Sequence, residues 1–184
     1  MTRSAWYTSS MLVQMTTSQY TKVVLAFAAG AYSVAYASTP VQWHFIDNLD
    51  LLIHEAGHVI FYLFGTFLYI LGGSLFQILF PFVFVVYFWL GRNFYAASIV
   101  LHWVGMNCIN VSVYASDAVR MQLPLLGGDS TTHDWHYILG TLNLLPHTDQ
   151  VGACLYGLGV FGMILAFCAS IVYSFDTASD SKLV

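Results

Sequence analysis

Residues 51–65 read LLIHEAGHVIFYLFG, an apolar stretch in which His54, Glu55 and His58 are the strongly polar side chains. The whole chain is 58% hydrophobic and 8% charged. A soluble globular domain carries about 25% charged residues. Since a water-exposed surface needs more charge than this chain has, the sequence predicts an integral membrane protein built from apolar helices.

We predict an all-α fold, a polytopic membrane bundle of four to five transmembrane helices in a single domain. The long apolar runs reach the roughly 20 residues that a helix needs to cross a bilayer. The predicted segments are a polar N-terminal tail at 1–21, membrane helices that include the motif at 22–114, a polar connection at 115–150 and a last membrane helix at 151–175.

Two boundaries stay open at this point. Residues 22–38 fit either a retained membrane helix or a signal peptide with a small-residue cleavage site. Pro40 favours a helix start, so the helix that carries the motif is predicted to begin there. Glycine ends helices readily, and this helix can end at Gly65 or at the pair Gly72-Gly73.

The charge balance excludes nucleic acid as a partner. Five Lys and Arg residues against nine acids leave no basic footprint for nucleic acid. The expected partners are membrane lipids and a membrane-protein substrate or partner subunit. We expect a multi-pass protein of a bacterial inner membrane. The three cysteines lie in apolar stretches without short spacing, and we interpret them as packing residues.

The segment His54-Glu55-Ala56-Gly57-His58 is an H-E-x-x-H motif. Histidines at i and i+4 project from one helix face, so their imidazoles can bind one metal ion. Zinc lowers the pKa of a bound water to about 7, and the adjacent glutamate can accept the proton of that water. Glu55 is the only glutamate in the chain. We therefore predict a Zn²⁺ site with Glu55 as general base.

A catalytic zinc site needs a third protein ligand and one open position. Asp117, at the end of the fourth predicted segment, is the first candidate, followed by His133 and Asp134 from the polar connection. His102 becomes a candidate if the motif helix ends at Gly72-Gly73.

Support for the histidines is also expected from the motif helix itself. Ligating histidines usually donate their second ring proton to a neighbouring acceptor, and Asp50 is placed one turn before His54 for that role. Asp47 is expected to lie at the membrane surface near the helix N-terminus, where acids are favoured.

The HEAGH motif in an apolar helix, with an aspartate two crossings later, resembles the site-2 protease family of intramembrane zinc metallopeptidases. The resemblance covers about residues 48–117. It implies that His54 and His58 bind zinc, that Asp117 is the third ligand, and that Glu55 activates water for peptide hydrolysis.

The leading hypothesis is therefore a membrane-embedded zinc metallohydrolase that cleaves peptide bonds within or near the bilayer. Two alternatives remain. One is a non-enzymatic scaffold or accessory subunit of a membrane complex with a structural metal site. The other is a di-iron membrane oxygenase, suggested by the spacing of histidines at 54–58 and at 133–136.

Overall fold

The computed structural model describes residues 15–123 and 133–176, and these residues form helices and their connections without a β-strand. The predicted all-α fold is confirmed. The helices are α1 (Thr17–Ser38), α2 (Asp47–Phe61), α3 (Thr66–Leu90), α4 (Phe94–Ser116), α5 (Asp134–Thr141) and α6 (Thr148–Ser174).

Three segments of the described chain are long and apolar enough to cross a membrane, namely Thr66–Leu90, Phe94–Ser116 and Leu145–Ser174. These segments are α3, α4 and α6 with the 3₁₀ turn that precedes α6. Their length and hydropathy are consistent with the predicted membrane protein. The bundle of four to five crossings stays a prediction, because α1 and α2 are not among these spans. Helix α2 has 15 residues, about 22 Å of helix, against a hydrocarbon core of about 30 Å.

Helix α1 begins inside the segment predicted as a polar tail. Thr16 and Gln19 form a reciprocal capping box, in which each side chain accepts a hydrogen bond from the other residue's backbone N–H. This cap satisfies N–H groups that the first helical turn leaves free. The helix therefore starts at Thr17, before the apolar run at 22–38. Residues 1–14 of the predicted tail lie outside the described residues.

The predicted start of the motif helix at Pro40 is wrong. The chain makes turns up to residue 46, and α2 begins at Asp47. The reason is a local hydrogen bond, since the Asp47 carboxylate accepts the backbone N–H of His44 at 2.6 Å and holds the chain in a turn.

Helix α2 ends at Phe61, and the helical path stops at Gly65, one of the two predicted break positions. Gly65 has φ +90° and ψ 165°, a conformation that glycine adopts without steric strain. A single 3₁₀ turn, Tyr62–Phe64, precedes it. Helices α2 and α3 then form an antiparallel hairpin, with Gly72 and Gly73 inside α3.

The polar connection contains helix α5, which the sequence analysis did not predict. Residues 124–132 of the connection and residues 177–184 lie outside the described residues. Helix α6 begins at Thr148, three residues before the predicted start of the last membrane helix.

Close glycine contacts hold the helices together. In the α2–α3 hairpin, a Cβ at Gly57 would meet the backbone of Gly72. Between α4 and α6, a Cβ at Gly105 would lie 2.8 Å from the Gly159 carbonyl oxygen, and one at Gly159 would lie 2.6 Å from the Gly105 carbonyl oxygen. Small residues at these positions let backbones approach closely, as in many membrane helix pairs.

Gly159→Ala should destabilise the protein by about 1–3 kcal/mol, because the new methyl group would force α4 and α6 apart. Gly157→Ala, on the same helix, is the matched control, since a Cβ there meets no atom within 4 Å. Thermal unfolding in detergent measures both variants. The packing argument would be refuted by a midpoint for Gly159→Ala equal to that of Gly157→Ala.

Candidate metal centre

His54 and His58 lie one turn apart on α2 and face the inside of the bundle. Their ring centroids are 4.9 Å apart. His54 is 7% exposed, whereas the neighbouring Glu55 is exposed. The four-residue spacing of the motif therefore has the predicted effect of bringing the two imidazoles together.

Asp134, the first residue of α5, completes a three-residue group with the two histidines. Its Oδ2 atom lies 3.1 Å from Nε2 of His54 and 3.4 Å from Nε2 of His58. The three ligand atoms lie within 4.8 Å of one another, so the group could hold a metal ion. Asp134 was one of the open candidates for the third ligand.

The Nδ1 atoms of both histidines face hydrogen-bond partners on α3. Nδ1 of His58 lies 2.8 Å from the backbone carbonyl oxygen of Tyr69, and Nδ1 of His54 lies 3.2 Å from Oε1 of Gln77. Because a carbonyl oxygen only accepts hydrogen bonds, the Nδ1 atoms carry the protons in these contacts. The Nε2 atoms, which lie near the Asp134 carboxylate, then keep their lone pairs for an ion, and this is the tautomer that metal-ligating histidines adopt.

Gly73 lies directly against the two Nε2 atoms. A Cβ at this position would be 2.5 Å from Nε2 of His54 and 2.6 Å from Nε2 of His58. A side chain here would therefore occupy the space into which both ligand nitrogens point. The absence of a side chain at position 73 leaves room for an ion, so the residues present fit a metal.

Helix α5 is fixed in place by three hydrogen bonds to α3 and the α4 region. Nε1 of Trp135 donates to Oγ of Ser74 at 3.0 Å, and Nδ1 of His136 donates to the Ala118 carbonyl oxygen at 2.8 Å. The backbone N–H of Asp134 donates to the Tyr114 hydroxyl at 3.2 Å. These contacts come from three consecutive residues, so they hold the Asp134 carboxylate in place.

The electrostatics of Asp134 also suit an ionised ligand. Burial raises the pKa of this carboxyl group, but the neighbouring His54 and His58 side chains together lower it by more, and the net pKa lies below the usual value. The carboxylate form that a metal requires is therefore the favoured one.

Asp117 and His133, the predicted third ligands, form a separate pair beside this group. Nε2 of His133 lies 3.4 Å from Oδ2 of Asp117. The Asp117 carboxylate also accepts the backbone N–H groups of Gln122 and Leu123 at 2.8 Å, and Nδ1 of His133 accepts the backbone N–H of His136 at the start of α5. The pair therefore shapes the chain around α5, and its ligation of a metal stays a prediction.

His102, the remaining candidate, lies away from the group. It is buried on α4, and its Nδ1 atom is 2.8 Å from Oγ of Ser33 on α1. Since the chain breaks at Gly65 and not at Gly72-Gly73, the condition under which His102 was considered does not hold.

One expectation about the supporting residues is wrong. The acceptor for His54 is Gln77, and Asp50 instead accepts a hydrogen bond from Nε1 of Trp103 at 2.7 Å. Asp47 is the first residue of α2, at the helix N-terminus as expected; its side chain is 3% exposed and accepts hydrogen bonds from Tyr36, His44 and Asn110, and its place at the membrane surface stays a prediction. One signal pointed to Gln77, since it carries the only side-chain amide in the apolar helix α3.

A cavity of about 720 Å³ opens onto the group, and Glu55 lies on its wall together with His54, His58 and Asp134. Its volume falls within the range of small-molecule sites. Among the described residues, Glu55 makes no hydrogen bond or ion pair. Its carboxylate is therefore available to a molecule in the cavity.

Comparison of the sequence with known protein families, with curated proteins and with solved structures finds no match.

Removing Asp134 should remove the metal. Purified wild-type protein is expected to hold about one metal ion per chain, and Asp134→Ala to hold little, because two neutral imidazoles remain. Asp117→Ala should retain the ion, and Asp149→Ala, at an exposed position, is a matched surface control. Elemental analysis of chelator-free protein decides the assignment: loss in Asp117→Ala with retention in Asp134→Ala would reverse it.

Gly73→Ala should also abolish metal binding, although it removes no ligand. The methyl group would lie between the two Nε2 atoms and displace them or the ion. Gly157→Ala again serves as the control for an added methyl group on a helix. Metal content and thermal stability are measured together. Full occupancy in Gly73→Ala would contradict the placement of the ion against this backbone.

Proposed function

We propose that the chain is a membrane-embedded zinc metallohydrolase of the site-2 protease type, which cleaves peptide bonds within or near the bilayer. One observation carries the proposal. Two Nε2 atoms and one carboxylate oxygen converge at the wall of a cavity that also contains a free glutamate. This combination of a ligand set, a base and space for a substrate is what metal-assisted hydrolysis requires.

The ligand set favours zinc over the other common cations. Zinc binds imidazole nitrogen and carboxylate oxygen, whereas magnesium and calcium prefer oxygen ligands. Non-haem iron also binds two histidines and one carboxylate. The glutamate directly after the first ligand, in H-E-x-x-H spacing, is the feature that tips the choice towards zinc.

An open site supports catalysis over a purely structural role. Structural zinc sites are closed by four protein ligands, while catalytic sites keep three and leave one position for water. The group has three ligand residues and faces the cavity. Three ligands beside accessible space therefore favour a hydrolase.

The proposed reaction uses the residues of the motif in distinct roles. His54, His58 and Asp134 would hold the ion, which when bound lowers the pKa of a water molecule to about 7. Glu55 takes a proton from the attacking water. The water oxygen bonds to the carbonyl carbon, the C–N bond breaks, and Glu55 returns the proton to the leaving nitrogen.

The second candidate function is a non-enzymatic scaffold with a structural metal. It is favoured by the fact that the ion would link α2 to α5, two helices far apart in the sequence. The di-iron oxygenase has less support. Within residues 15–123 and 133–176, no second group of His, Cys, Asp or Glu side chains is placed to hold a metal ion.

Glu55→Gln should retain zinc and lose hydrolysis by a factor of at least about 10², the usual contribution of a positioned base. His54→Ala should lose both zinc and hydrolysis. The assay is mass spectrometry of synthetic single-span peptides reconstituted with the protein in phosphatidylcholine vesicles, with zinc content measured on the same samples.

Full hydrolysis by zinc-loaded Glu55→Gln would refute the role of this residue. Zinc-loaded wild type that leaves every peptide intact, although the ion stabilises the fold against thermal unfolding, would favour the scaffold.

A further inference from the structure

A row of polar side chains, all buried except the half-buried Asn110, connects the motif histidine to an aspartate at the start of the same helix. Nδ1 of His54 contacts Oε1 of Gln77 at 3.2 Å, Nε2 of Gln77 donates to Oδ1 of Asn110 at 2.9 Å, and Nδ2 of Asn110 donates to Oδ1 of Asp47 at 3.2 Å. The row crosses from α2 through α3 and α4 and back to α2.

We infer that Asp47 determines which ring nitrogen of His54 carries the proton, and so positions this histidine as a metal ligand. The inference rests on the metal site of the proposed function. Asp47 lines the same cavity but makes no hydrogen bond to His54, His58 or Asp134; it acts through Asn110 and Gln77.

The direction of the hydrogen bonds along the row is determined at its Asp47 end. The carboxylate accepts hydrogen bonds from the Tyr36 hydroxyl and the His44 backbone N–H, both at 2.6 Å. An ionised carboxylate has no donor. Asn110 must therefore turn its NH₂ group towards Asp47, because its amide oxygen would face another acceptor there.

The orientation of each side-chain amide then determines the orientation of the next one. With the Asn110 oxygen turned towards α3, Gln77 must present its own NH₂ group to that oxygen. The Gln77 oxygen is left facing His54, and only a protonated Nδ1 can satisfy it. The neutral ring consequently keeps its Nε2 lone pair for an ion.

The row has to determine the tautomer of His54 because the Asp134 carboxylate favours the opposite one. Oδ2 of Asp134 lies 3.1 Å from Nε2 of His54 and would accept a proton from it. His58 does not depend on the row, since the Tyr69 carbonyl oxygen fixes its Nδ1 proton directly. His54 is thus the ligand whose tautomer depends on two side-chain amides that can rotate.

Asp47→Asn should reverse the donor and acceptor roles along the row. The His44 N–H still requires an acceptor, so the new amide places its oxygen there and its NH₂ group towards Asn110. The Tyr36 hydroxyl can accept from that group. Asn110 and Gln77 then both rotate by half a turn, the Gln77 NH₂ group faces His54, and the proton moves to Nε2.

A second substitution should restore the original tautomer. In Asp47→Asn/Gln77→Glu, the new carboxylate at position 77 accepts from the rotated Asn110 amide and from Nδ1–H of His54. The double variant has the same net charge as the wild type. A purely structural role of Asp47 predicts further damage from the second substitution, whereas the relay predicts rescue.

The experiment is nitrogen NMR of ¹⁵N-histidine-labelled, metal-free protein at alkaline pH, where neutral imidazoles report their tautomer. The His54 signals are assigned from their absence in His54→Gln. We expect Nδ1–H in the wild type and in Asp47→Asn/Gln77→Glu, and Nε2–H in Asp47→Asn. Asp149→Asn, an exposed substitution of the same type, should match the wild type.

Zinc affinity gives the second measurement. Asp47→Asn should bind zinc about 10–100-fold more weakly, as expected for loss of an outer partner of a ligand, and the double variant should recover most of this loss.

Several results would overturn the inference. Nε2–H in the wild type would do so even if a variant failed to fold, as would an unchanged tautomer in Asp47→Asn or no recovery in the double variant. These readings are separable from the proposed function. A tautomer that responds as expected in a protein that binds no zinc would refute the metal site alone, whereas zinc-dependent hydrolysis with an unresponsive tautomer would refute the relay alone.

Discussion

The contact of His54 with Gln77 is the interaction on which the rest of the site depends. An imidazole and an amide buried among apolar helices must satisfy each other, because an unpaired polar group there costs several kcal/mol. Their pairing orients Nε2 towards Asp134. It also requires α2 and α3 to lie close together, and the backbone contact between Gly57 and Gly72 makes that approach possible. The α2–α3 hairpin therefore determines both the close packing of these two helices and the orientation of the His54 ring.

The hairpin also explains why the ligands come from only part of the chain. Helix α3 supplies no ligand, yet Gly73 provides the space for an ion and Ser74 anchors α5 through Trp135. One turn of α3 thus shapes both sides of the site, the histidines of α2 on one side and the carboxylate of α5 on the other. A residue without a side chain is as important to this geometry as the ligands.

The sequence predicted those features that local pattern determines. The i, i+4 spacing was enough to bring His54 and His58 together, and the break at Gly65 was among the predicted positions. Asp134 could not be chosen over Asp117, because the choice depends on how α5 docks through contacts distant in sequence. Gln77 was missed for a similar reason, since helical spacing favoured Asp50 as the partner of His54 and only the α2–α3 packing brings the amide to the ring.

The short length of α2 connects the fold to the supply of water. Irregular backbone at membrane depth is tolerated only where protein buries it or where it lines a water-filled cavity. Residues 39–46, which precede α2, are irregular, and Pro40, Gln42 and Trp43 line the cavity that opens onto the candidate metal group. Water in this cavity would reach both this connection and Glu55. The loop that shortens the motif helix would therefore also supply the water that the proposed hydrolysis requires.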